Sequence, residues 1–162
     1  MVKLLLEREE VNPDKPNGGG RTPLSSAAGN GNEGVVKLLL EREEVNPDRP
    51  DKIRRGILRK TTSGRTPLSY AAGGGYLGVV KLLLEREEVN PDTPDRDGRT
   101  PLSYAAWGGY SRVVKLLLER EEVNPDGSDN DGQTPISLAT NNGHNSVVAL
   151  LQSRKRVVSS TI

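Results

Sequence analysis

The chain has no cysteine, no phenylalanine, one histidine and one tryptophan among its 162 residues. Without cysteine there is no disulfide framework, no thiolate metal site and no thiol nucleophile. The single histidine, His144, removes most imidazole-based catalysis and His-rich metal sites. Long hydrophobic runs are also missing: none exceeds five residues, too short to cross a bilayer. The opening segment Met1-Val2-Lys3-Leu4-Leu5-Leu6-Glu7 has no secretory apolar stretch, so an intracellular address, cytoplasmic or nuclear, is expected. Neither charge sign dominates. Lys and Arg number 23 against 22 Asp and Glu, a net charge of +1, which argues against a nucleic-acid footprint over the whole surface. Aromatics make only 3% and hydrophobic residues 33%, few for one round core of this length. Yet Leu, Ile and Val together number 39, above the range of disordered chains. The apolar residues must be regularly placed and economically used.

A repeat supplies that regularity. The run from Val35 to Asp48 (VVKLLLEREEVNPD) recurs verbatim at 79–92 and 113–126, and at 1–14 with Met1 in place of the first Val. A second unit, Arg21-Thr22-Pro23-Leu24-Ser25-Ser26-Ala27-Ala28, has close copies at 65–72 and 99–106 and a looser one beginning at Gln133. The Thr-Pro pairs start at 22, 66, 100 and 134, so the spacings are 44, 34 and 34 residues. Each unit predicts two helices. Thr66 suits an N-cap and Pro67 the first helical position. Leu68, Ala71 and Ala72 make a small apolar stripe, which Gly73-Gly74-Gly75 ends. The second helix is expected over about 77–87, with Val79, Val80, Leu83 and Leu84 inward and the Glu-Arg-Glu-Glu copies forming solvated charge ladders along its edge. Val89-Asn90-Pro91-Asp92 turns the chain away. No unit buries its stripe alone, so neighbours must stack.

These residues resemble the ankyrin repeat. The family pattern Thr-Pro-Leu-His, Ala-Ala, Gly-His, Val-Val and Leu-Leu-Leu is met by Thr66-Pro67-Leu68-Ser69, Ala71-Ala72, Gly75 and Val79 to Leu84, in phase, four times over nearly the whole chain. The resemblance implies an all-α solenoid of helix-turn-helix units with projecting hairpin loops. Its concave face, made of loop tips and first helices, would bind a partner protein. Ser25, Ser69, Ser103 and Ser137 depart from the family by replacing the first His, and Asn32, Tyr76 and Tyr110 replace the second, which His144 retains. Near-identical repeats of this kind also resemble duplicated fungal-type arrays that follow a nucleotide-binding or effector domain in larger sensor-like proteins. The resemblance implies a parent protein with further domains.

The units divide into a half repeat at 1–14 and repeats at about 15–48, 49–92, 93–126 and 127–152, with a tail at 153–162 expected to fray from Arg154. Val2–Glu10 reads as a second helix without its first, so self-association through that end is expected. The 44-residue spacing places ten extra residues at 53–62. This insertion carries Arg54, Arg55, Arg59 and Lys60 and no acid. It reads either as a tolerated surface loop or as a basic finger for nucleic acid or an acidic partner. The absence of an interleaved aromatic makes nucleic acid the weaker choice.

The repeats align on themselves, and positions that differ between copies are candidates for partner contact. In the first helices these are Ser26/Tyr70/Tyr104/Leu138 and Gly29/Gly73/Trp107/Asn141; in the loops they include Arg96. Tyr104 and Trp107 are three apart and share a helix face. With Tyr70 one repeat away and Leu138 flanking, they are expected to form an exposed aromatic patch. Tyrosine and tryptophan are preferred interface anchors. The alternative is that Tyr70 and Tyr104 pack between neighbouring first helices. Tyr76 and Tyr110 are expected to be structural, as is His144, a turn-stabilising residue. No nucleophile–base set, phosphate loop or metal cluster emerges, so neither catalysis nor a cofactor is expected. A protein-binding module leads, with a nucleic-acid finger and a structural spacer as the other readings.

Overall fold

The computed structural model describes residues 12–52 and 64–159, with side chains to 154. Among the described residues there are eight helices and no strand. First helices are α1 (Pro23–Gly29), α3 (Pro67–Gly73), α5 (Pro101–Trp107) and α7 (Pro135–Asn141). Second helices are α2 (Glu33–Leu40), α4 (Leu77–Leu84), α6 (Ser111–Leu118) and α8 (Asn145–Ser159). Each first helix packs on the next first helix and on its own second helix, and second helices likewise contact their successors. The result is the expected two-layer stack.

Local chemistry sets the start of each first helix. Thr66 is extended (φ −79°, ψ 163°), and its hydroxyl accepts the Ser69 N–H at 3.2 Å. Thr22, Thr100 and Thr134 do the same for Ser25, Ser103 and Ser137. Proline follows each cap, where its missing N–H has no partner to lose. The serines in the family His position add hydroxyl contacts, 3.0 Å from Thr22 Oγ1 to Ser25 Oγ. In α7 the cap is reciprocal: Ser137 Oγ also accepts the Thr134 N–H at 2.9 Å.

The helix-to-helix turn needs a left-handed residue and close packing. Gly31 has φ +69°, and a Cβ there would stand 2.5 Å from Tyr76 Cδ1 of the next unit. Gly75 faces Tyr110 and Gly109 faces His144 in the same way. These rings therefore join consecutive turns, as expected of structural residues, and His144 Nε2 also bonds the Trp107 carbonyl at 3.0 Å.

Leu68, Ala71, Ala72, Val79, Val80 and Leu83 are fully buried, as their spacing predicts. Each such Leu or Val stabilises by about 1.5–3 kcal/mol relative to exposure. The second helix ends earlier than expected, at Leu84 rather than near 87. Glu85 caps it, and the chain tightens through Arg86 N–H to Leu83 O and Val89 N–H to Arg86 O, at 3.1 and 3.2 Å. Buried Val89 anchors this turn, and Asn90 Oδ1 accepts the Asp92 N–H at 2.9 Å around Pro91. The three described Glu-Arg-Glu-Glu copies thus lie in turns, not along helix edges. The last helix departs the other way. It continues to Ser159, and Arg154 Nη2 donates to the Arg120 carbonyl at 3.4 Å, so the segment expected to fray from Arg154 is helical to that point.

The loops between units close alike. Asp95 N–H bonds Arg99 O and Gly98 N–H bonds Asp95 O; Asp51 N–H bonds Arg65 O and Gly64 N–H bonds Asp51 O. Lys52 and Gly64 hold the places of Arg96 and Gly98. The residues flanking 53–63, which themselves lie outside the described residues, therefore close as they do in the next unit.

Candidate functional site

The loop side of the stack is built on one aspartate in each of the last three units, with Asn17 in its place in the first. Asp51 Oδ1 accepts the Gly64 and Arg65 N–H groups at 2.6 and 3.0 Å, and Asp95 Oδ1 accepts those of Asp97 and Arg99 at 2.9 Å each. Asp129 repeats this with Asp131 and Gln133. The other oxygen points to the stack. Asp51 Oδ2 accepts the Tyr70 hydroxyl at 2.5 Å, and Asp95 Oδ2 accepts the Tyr104 hydroxyl.

An arginine from the preceding unit completes each set. Arg21 lies 4.1 Å above the Tyr70 ring and donates its Nε–H to the Tyr70 oxygen at 3.0 Å. Arg65 lies 4.0 Å above Tyr104 and donates at 2.7 Å. Where Leu138 replaces the tyrosine, Arg99 reaches Asp129 directly, Nε to Oδ2 at 3.1 Å. Arginine and aspartate, with a tyrosine at the first two junctions, thus tie each unit to the next. Burial, then the neighbouring Asp95, pushes the Tyr104 hydroxyl well above the ordinary tyrosine range; burial and Asp51 also raise that of Tyr70. Both hydroxyls stay protonated and donate. For Asp129, burial opposes ionisation, but the Gln133 N–H and the Arg99 guanidinium outweigh it and hold the carboxyl below its usual value.

This corrects part of the expected aromatic patch. Tyr70 and Tyr104 are 9% and 5% exposed, packed between neighbouring first helices, and Leu138 is buried as well. The reason is the ladder: a hydroxyl held by a buried carboxylate and a ring covered by a guanidinium leave little surface. Trp107 differs. It stands one turn further along α5 and is 54% exposed. The matching positions are Gly73 in the unit before and Asn141 in the unit after; Asn141 and Arg96 are both exposed. Arg54, Arg55, Arg59 and Lys60 lie outside the described residues, as does the half repeat through residue 11.

Sequence reasoning missed the functional weight of Asp51, Asp95, Arg21, Arg65 and Arg99. A signal was present. Tyrosine occurs in the units with Asp51 and Asp95 and not in the first, where Asn17 stands with Ser26.

The opposite edge is chemically different. Arg42–Glu44, Arg86–Glu88 and Arg120–Glu122 pair at 3.5, 3.5 and 3.6 Å on exposed turns. Nearby, Asp48 and Asp92 each have one buried carboxylate oxygen without a hydrogen bond, and burial raises the pKa of both. No group of three or more His, Asp or Glu among the described residues is arranged to hold a metal. No described helix is long and apolar enough to cross a membrane.

The family described as ankyrin repeats (3 copies) matches residues 1–51, 46–126 and 89–160. The chain belongs to the ankyrin repeat family. A comparison with curated proteins gives no significant match. Ankyrin repeats are generally protein–protein interaction modules and typically non-enzymatic, and the family points to a protein as the partner class. In this ankyrin-repeat chain the loop-side ladders are part of the scaffold, and Trp107 stands out beside them.

Proposed function

We propose that this chain is a non-catalytic module that binds a partner protein on the face formed by its loop tips and first helices. Trp107 is the anchor, with Asn141 and Arg96 at its margin. Tyr70, Tyr104 and Leu138 support that face from beneath. The observation that carries the reading is Trp107 itself: a large aromatic 54% exposed on a short helix whose other apolar residues are buried. A tryptophan in such a place costs solubility unless it is covered in use, and tryptophan is enriched among residues that dominate binding energy. A chain without cysteine suits a reducing compartment, and the module is assigned to the cell interior.

Affinity capture from a lysate with the wild type and Trp107→Ala side by side tests this. A protein retained by the wild type and lost by the variant is expected. Equal retention by both removes Trp107 from the binding face.

A further inference from the structure

The loop-side face has a charge character that the balanced sequence hides. Its aspartates are inside: Asp51, Asp95 and Asp129 are 7%, 6% and 5% exposed, with their oxygens held by backbone N–H groups, tyrosines and arginines. The arginines are outside. The side chains of Arg65 and Arg99 are 24% and 28% exposed, and Arg21 is exposed. Each uses its Nε–H in the ladder. A guanidinium has five donors in a fork that matches a carboxylate, so further N–H groups are free in kind for a ligand. Lys52 and Arg96, at the loop tips, are exposed and make no ion pair among the described residues. The exposed acids on this side are Asp97 and Asp131. The many glutamates of the Glu-Arg-Glu-Glu turns follow the second helices, on the other edge. A row of arginines in register, one in each of the first three units, therefore lines the loop side, and Arg65 covers Tyr104 one helical turn from the exposed indole of Trp107.

We propose that this face takes an extended acidic peptide segment, its carboxylates on the row Arg21, Arg65 and Arg99 with Lys52 and Arg96, and an apolar side chain against Trp107. This rests on the reading of the face as the protein-binding one, and it names the partner's chemistry. The regular spacing of the row suits a chain lying across successive units. Gly73, at the position matching Trp107 in the preceding unit, adds no side chain to block it.

Trp107 is the chain's single tryptophan, so its emission reports this site alone. The experiment titrates the intact chain with a synthetic peptide alternating Glu and Leu, a matched peptide alternating Lys and Leu, and polyuridylate, at low and high salt. The Glu–Leu peptide is expected to shift Trp107 emission saturably, with binding that weakens as salt screens the charges. The charge reversal Lys52→Glu with Arg96→Glu should weaken it by about tenfold. Calorimetry with Trp107→Ala should show a loss of similar size, roughly tenfold, as for a central aromatic anchor. Equal binding of the Lys–Leu peptide overturns the acidic class while leaving the face intact. Tighter binding of polyuridylate overturns it in favour of nucleic acid. Glu–Leu binding that neither moves Trp107 emission nor responds to Trp107→Ala overturns both the class and the face. No saturable response to any probe at low salt overturns the acidic class, and loss of a captured protein with Trp107→Ala would still support the face.

Discussion

The two edges of the stack use the same kinds of charge and put them to different ends. On the loop edge, arginine lies over a tyrosine ring and faces an aspartate held by that tyrosine's hydroxyl, with the carboxylate almost fully buried. On the turn edge, arginine meets glutamate two residues away, in water. The Coulomb attraction is similar in kind. The difference is what happens when a partner is lost. A buried group stranded by its partner pays full desolvation, whereas an exposed one is rehydrated. The loop edge is therefore an interlocked scaffold with arginine side chains and Trp107 at its surface, and the turn edge is a solvated margin.

The largest expected effect comes from Asp95→Ala. It removes the acceptor of the Tyr104 hydroxyl and of two loop N–H groups, and leaves Arg65 without its counter-charge. Urea unfolding should show a loss of about 3–5 kcal/mol. Tyr104→Phe keeps the ring under Arg65 but deletes the hydroxyl, and a loss of about 1–3 kcal/mol is expected. A value near zero for either variant would erase the distinction between the edges.

Acid titration sharpens it next. Asp129 has a lowered pKa, so its stabilisation is present above the ordinary aspartate value of 3.8 and is lost as pH falls below it. Asp92 has a raised pKa, so its contribution is greatest below 3.8 and is lost as pH rises through the folded value. At neutral pH, Asp129→Asn should lower the thermal midpoint and Asp92→Asn should raise it, with both differences shrinking below pH 3.8. The smallest effect belongs to Glu88→Ala, whose ion pair with Arg86 is open to water: within about 0.5 kcal/mol of wild type. A loss as large as that of Asp95→Ala would mean that burial does not separate the two edges.

The fold was legible because its determinants are local. Threonine caps, following prolines, the Leu68-Ala71-Ala72 stripe and the Val-Leu face each act within one or two turns, and repetition made the stacking plain. The second-helix end was misjudged because no glycine marks it. Buried Val89 draws the chain into a turn three residues early, and a run such as Glu-Arg-Glu-Glu has good helical propensity that this tertiary anchor overrides. The tyrosines were misjudged for another reason. Variation between copies marks partner contact only if the position is exposed, and at Tyr70, Tyr104 and Leu138 it tracks a buried ladder between units. That contact joins residues 30 to 49 apart and has no local periodicity. Among the described residues Trp107 has no such partner to bury it.

The most direct test of the separation between scaffold and binding face is the affinity of the Glu–Leu peptide for Tyr104→Phe and Trp107→Ala, measured by calorimetry at a temperature where both are folded. Unchanged affinity in Tyr104→Phe and a roughly tenfold loss in Trp107→Ala is the predicted result. A loss confined to Tyr104→Phe, or equal in the two, would contradict it.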